Sequence, residues 1–203
     1  MLRKSDCVVA AVAAAWGSCA AAAPSGTSDL NAALFGLRES AIGVHLSPSG
    51  NQVAYVAPAP GGGVIAFVAN VQTGDVKPFL KSGKGPEKLR WCAFVTEQRL
   101  VCRYTAIIED AGVLLPFSRL IAVNSDGSGM KELGQRQSFY DAGYRQYDGN
   151  IIDWLPGSGG SVLMERSYVP EAGNGATRMV RRTDGLGVDR IDTETVKVTV
   201  VEG

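Results

Sequence analysis

The sequence is poor in the groups that most enzymes use. It holds one histidine, His45, among 203 residues, and no G-x-S-x-G segment of the kind that carries a hydrolase nucleophile. A serine nucleophile needs a histidine as general base and an acid to orient it. His45 instead alternates with Val44 and Leu46 on an apolar run, which reads as a satisfied or exposed strand histidine. Ser158, in the turn "PGSGG", lacks the flanking pattern of a nucleophile. Metal ligands are equally scarce: Cys92 and Cys102 form C-x9-C, which with a single histidine gives neither the spacing nor the ligand count of zinc. No catalytic residue, metal or cofactor is therefore expected.

Excess charge is missing as well. Twenty basic residues balance twenty acidic ones, so the chain has no electrostatic footprint for nucleic acid or an anionic membrane surface, and the Arg181-Arg182 pair does not supply one. The N-terminal run "CVVAAVAAAW" (7–16) has ten apolar residues, against about 20 needed to cross a bilayer as a helix. It follows a short basic start at Arg3 and Lys4 and precedes the small residues of "GSCAAAA", the pattern a signal peptidase reads. Residues 1–22 are thus expected to be a secretory signal, a retained anchor being the alternative. Cys19 is a poor lipidation site, since Trp16 stands where a branched aliphatic residue is expected. The mature protein would be periplasmic or secreted, and free of the membrane.

Removal of the signal leaves Cys92 and Cys102 in an oxidising compartment. They flank "AFVTEQRLV", which reads as strand, turn, strand. A loop centred on Glu97 puts the two cysteines face to face, within reach of a disulfide; two buried thiols are the other reading.

What the sequence has in quantity is short β-prone runs between turn residues. After a linker and short helical turn (23–40, with "AALFGLRES" at 32–40), the pattern from residue 41 onward is strand after strand. "HLSPSGNQVAYV" (45–56) sets Ser-Pro-Ser-Gly between two apolar runs: Pro48 fixes φ for a turn, and Gly50 accepts a left-handed backbone. "VIAFVANV" (64–71), the turn "QTGD" and "VKPFL" (76–80) complete a set of four strands over residues 41–81.

The set recurs over 88–134, with "KLRWCAFV" (88–95), "RLVCRYTAII" (99–108), a loop at "EDAGVLLP" (109–116), "FSRLIAVN" (117–124) and "MKELG" (130–134). It recurs again over 150–202, from "NIIDWL" (150–155) and "SVLMERSY" (161–168) to "VDRID" (188–192) and "KVTVVE" (197–202). The last two strands of each unit align best: "ANVQTGDVKPFL", "VNSDGSGMKEL" and "RIDTETVKVTVV".

Four-stranded units of this length are the sequence mark of β-propeller blades, and the repeated order of turns favours them over a β-sandwich. The fold expected over 41–203 is all-β, an incomplete propeller of about three antiparallel blades. Closed propellers have about 4–8 blades, so a three-blade arc leaves two faces open. Such faces invite self-association, or mark the chain as the first piece of a longer protein.

Two loops imitate ligand sites. "NSDGSG" (124–129) places Asn124, Asp126 and Ser128 like part of a calcium loop, but the twelfth position is Gln135 and the flanks are strands, so it reads as a hairpin turn. Gly61-Gly62-Gly63 joins strand to strand without the lysine or helix start of a phosphate loop. Trp91, Trp154 and Tyr168 read as packing between blades.

Taken together, "LSPSGNQVAYV", "VANVQTGDVKPFL" and "LRWCAFVTEQRLVCRY" resemble the N-terminal β-propeller of secreted bacterial serine peptidases of the prolyl-oligopeptidase family, over about residues 34–202. In that family the propeller sits over an α/β-hydrolase domain that follows in the chain and supplies the catalytic triad. The resemblance implies a non-catalytic portion that restricts and orients a peptide substrate on its way to a hydrolase domain not contained here. It also draws attention to Glu109 and Asp110, since some dipeptidyl-peptidase relatives hold a substrate's amino group with propeller acids; a solvated loop is the plain reading of the pair. The Ser-Pro-Ser-Gly turn is shared with TolB-type propellers, so a stand-alone periplasmic module for protein–protein interaction is the rival reading.

Overall fold

The computed structural model describes residues 35, 39–134, 145–168 and 185–202. The expected signal (1–22), nearly all of the expected linker and short helix (23–40), and Arg181-Arg182 lie outside the described residues. The strands are β1 (Ile42–Leu46), β2 (Gln52–Pro58), β3 (Val64–Asn70), β4 (Val76–Ser82), β5 (Lys88–Phe94), β6 (Arg99–Asp110), β7 (Val113–Asn124), β8 (Lys131–Glu132), β9 (Ile151–Asp153), β10 (Ser161–Tyr168), β11 (Gly185–Asp192) and β12 (Val198–Glu202). They form three four-stranded antiparallel sheets, each joining its strands in chain order. The all-β fold and the three four-strand units agree with the expectation.

The middle sheet is covered on both faces. Ala54, Val56, Ala66, Val68 and Phe79 of the first sheet pack against Leu89, Cys92, Phe94, Leu100, Cys102 and Val123 of the second. The alternate residues Val95, Val101, Leu120 and Ala122 turn the other way, with Leu133, onto Val162, Met164 and Ile191 of the third. Successive side chains of a strand point to opposite faces, so a strand buried on both sides must be apolar nearly throughout. "LVC" (100–102) and "LIAV" (120–123) meet that demand. The first sheet's far face carries Val53, Tyr55, Ala57, Ile65, Phe67 and Ala69, all half-buried, with Tyr55 and Phe67 stacked at 5.4 Å.

The turns are made as the sequence requires. Gly50 donates its N–H to the Ser47 carbonyl at φ 75°, and Ser47 N–H reaches Gln52. The β3–β4 and β11–β12 turns share one design: Asn70 Oδ1 accepts the N–H groups of Gln72 and Thr73, as Asp192 Oδ1 accepts those of Glu194 and Thr195. Gly74 and Val196 then close the two turns in the same left-handed conformation, at φ 74° and 61°. Cys92 and Cys102 are directly paired across β5 and β6, with Cα atoms 4.0 Å apart, and form a disulfide.

One expected element is corrected. Residues 109–116 are not a loop: β6 runs to Asp110 and β7 starts at Val113, joined by Ala111 and Gly112 alone, at φ 48° and 80°. Two positive φ values match the twist of the flanking strands, so two residues suffice. Pro116 suggests a break, yet it lies on an outer edge, where a missing N–H removes no ladder bond. Elsewhere strand ends shift: β8 and β9 are shorter than expected, and β11 begins three residues earlier.

Candidate functional site

The first strands of the three sheets converge. β1 lies against β5 through Gly43, at φ 57°, where a Cβ would stand 2.7 Å from Cβ of Trp91. Only glycine lets the two backbones approach so closely. β5 carries a bulge: Leu89 pairs with Tyr104 and Trp91 with Arg103, leaving Arg90 as the extra residue. Bulges re-aim side chains. Arg90 turns outward and its Nε donates to Thr105 Oγ1 at 2.6 Å.

Trp91 meets Trp154, just past β9, edge to face at 6.2 Å and 68°, and the His45 ring stands 6.2 Å from Trp91 on the other side. Gly43, His45, Arg90, Trp91 and Trp154 line a cleft of about 310 Å³. Partial desolvation of the ring lowers the pKa of His45 below the usual imidazole value. Arg90 has no ion-pair partner among the described residues, and its terminal nitrogens keep their donors for a ligand. Indole faces and a free guanidinium suit an extended peptide, with an apolar residue on the rings and a carbonyl or carboxylate on the arginine. Among the described residues the lining includes no serine, cysteine or acid.

A larger cleft of about 540 Å³ lies between the first and second sheets, with Tyr104, Ile108, Phe117, Arg119 and Met130 in its wall. Its arginine is already engaged. Arg119 donates to the carbonyls of Ser118, Arg145 and Gln146, pairs with Glu132 at 3.7 Å and Asp148 at 3.9 Å, and covers the Phe117 ring.

The structure does not bring the sequence-flagged residues together. Glu109 and Asp110 stand at the tip of the β6–β7 hairpin, exposed and away from the aromatic cleft's lining. "NSDGSG" is a hairpin turn in which Asp126 Oδ1 accepts the Ser128 amide and hydroxyl. Ser158 also belongs to a turn, its N–H on the Leu155 carbonyl. Trp91 and Trp154 do pack between the second and third sheets, and they wall the cleft as well. Arg90 was not flagged by the sequence, because a bulge leaves no mark in the alternation of side chains.

No family model matches the chain, and no curated protein does. Among solved structures it is similar to Pyrococcus horikoshii acylaminoacyl peptidase in an orthorhombic crystal form, at 14% identity and TM-score 0.45. It is also similar to an acylaminoacyl peptidase in complex with Z-Gly-Gly-Phe-chloromethyl ketone, at 12% identity and TM-score 0.46. Each match covers 81% of this chain and 25% of the other, so the chain spans a quarter of the length of the structures it resembles.

Proposed function

We propose that the chain is the non-catalytic propeller portion of an exported serine peptidase of the prolyl-oligopeptidase type, in which it restricts and orients peptides bound for a hydrolase domain. Residues 1–22 act as the export signal, 23–40 as the linker, and 41–203 as the propeller segment. The observation that carries this reading is the aromatic cleft, where Trp91, Trp154 and Arg90 offer peptide contacts with no nucleophile beside them. The Cys92–Cys102 bridge fits an oxidising compartment outside the cytoplasm. His45, the only histidine, has an indole for its neighbour and no serine–acid pair to serve among the described residues.

Peptide hydrolysis tests the assignment. The chain expressed with any coding sequence that follows it in frame is expected to cleave peptides, and the chain alone to leave them intact. Cleavage by the chain alone that survives repurification would overturn it.

A further inference from the structure

Past Thr105 the middle sheet is only two strands wide. β5 begins its pairing with β6 at Lys88↔Thr105, and β8 pairs only with Ile121 and Ala122 of β7. Residues 106–110 and 113–117 therefore project as a two-stranded arm. Its apolar side chains face water: Ile107 is 62% exposed, Val113 58% and Leu114 67%. A lone two-stranded hairpin is marginal in water, and an open strand edge is a template for another strand.

The arm's two edges differ. The β7 edge is blunted by Pro116, whose carbonyl already accepts from Gln146 Nε2 at 3.4 Å, and Ser118 N–H is taken by the Gln146 carbonyl. The β6 edge over 106–110 has no proline, and no strand covers it among the described residues.

We propose that this β6 edge pairs antiparallel with the same edge of a second copy, joining two arms into one four-stranded sheet across a two-fold axis. Charge selects the occupant and its direction. The tip of the arm is acidic, at Glu109 and Asp110; its foot is basic on balance, with Lys81, Lys88 and Arg90 against Glu87. Lys88 Nζ donates to the Gly85 carbonyl and Arg90 Nε to Thr105, and neither has an ion pair among the described residues.

Antiparallel pairing about Ile108 sets Ile108 against its own counterpart and lays each acidic tip against the other copy's basic foot. Residues 105, 107 and 109 share one face of β6. Arg90 is held on that face by Thr105, so Glu109 of the second copy arrives beside it. Parallel pairing would instead bring the two acidic tips together. Five residues a side make a contact smaller than a standard interface, so the dimer is expected to form in a concentration-dependent way.

Sedimentation velocity of the purified chain, from low to high micromolar, tests the pairing. The expected pattern is a monomer–dimer equilibrium that Glu109→Arg or Arg90→Glu each weaken about tenfold and the double variant restores. Ile107→Glu, on the open edge and opposite Glu109 of the second copy, should weaken it without moving the melting temperature, which separates loss of pairing from loss of fold. Any other pattern overturns the proposal, whether a monomer at every concentration, association indifferent to the charge reversals, or failure of the double variant to recover.

Discussion

The two interfaces of the middle sheet are built on different principles. Toward the first sheet the contact is apolar throughout its depth, and polar contact is confined to the rim. There Glu97, in the β5–β6 turn, accepts the Ser49 amide at 2.7 Å and the Ser49 hydroxyl at 2.9 Å. Toward the third sheet the apolar patch is smaller and charge is taken inside. Arg99 and Arg166 are each 2% exposed, and Asp189 is fully buried. Arg166 binds Asp189 at 3.0 Å and the carbonyls of Asp148 and Leu133, while Arg99 reaches Asn124, Gly129 and Thr193.

An apolar layer rewards any close fit, whereas a guanidinium fork is satisfied in one geometry. The first interface therefore supplies burial, and the second sets how the third sheet is placed. Asp148 marks the cost of that choice. Burial raises its pKa, against the hydrogen bond from the Leu120 amide and the charge of Arg119.

Breaking the polar interface should cost the most. Asp189→Ala leaves Arg166 buried without its counter-charge and Tyr168 without an acceptor. A loss of about 3–5 kcal/mol is expected in denaturant unfolding. Reducing the Cys92–Cys102 bridge, inside the apolar interface, should cost roughly 2–3 kcal/mol by freeing a short loop in the unfolded chain.

At the rim, Glu97→Gln should cost about 1 kcal/mol, since the pair is partly solvated. Burial alone would raise the pKa of Glu97, but the hydrogen bonds from Ser49 outweigh it and the net shift is downward. Its contribution is therefore complete above the ordinary carboxylate value and is lost as pH falls through the lowered folded value. Glu97→Gln should flatten that acid limb of a stability–pH curve.

The polar interface titrates at the other end. Burial and Asp189 push Tyr168 up to about 12, so it holds a proton that the unfolded chain gives up near 10. Stability should fall as pH rises between those values, and Tyr168→Phe should remove that fall. The last effect is a gain. Val196→Gly should stabilise by about 1 kcal/mol, because a β-branched residue holds the left-handed position that Gly74 occupies in the matching turn.

Much of this architecture is legible in the sequence because it is local. The turn centred on Glu97 fixes the pairing of Cys92 with Cys102, and the turns that Asn70 and Asp192 open fall at matching places in the aligned ends of their units. The polar interface is not legible. Arg99 and Arg166 sit on alternating strands, where a charged residue reads as solvent-facing, and their partners Thr193 and Leu133 are far away in the chain. The arm was hidden by Pro116, which reads as a loop unless the strand is known to be an edge. The cleft was half visible: Trp91 and Trp154 stand out as aromatic anchors, while the bulge that exposes Arg90 follows from packing alone.

The sequence has three tryptophans, and Trp16 lies in the expected signal, so both tryptophans outside that segment wall the cleft. Their emission during titration with an unfolded, proline-containing peptide is the most direct test of a peptide-holding, non-catalytic role. A saturable spectral shift is expected, lost in Arg90→Ala, with the peptide recovered intact by mass spectrometry. An emission spectrum unmoved at saturating peptide, or a cleaved peptide, would contradict it.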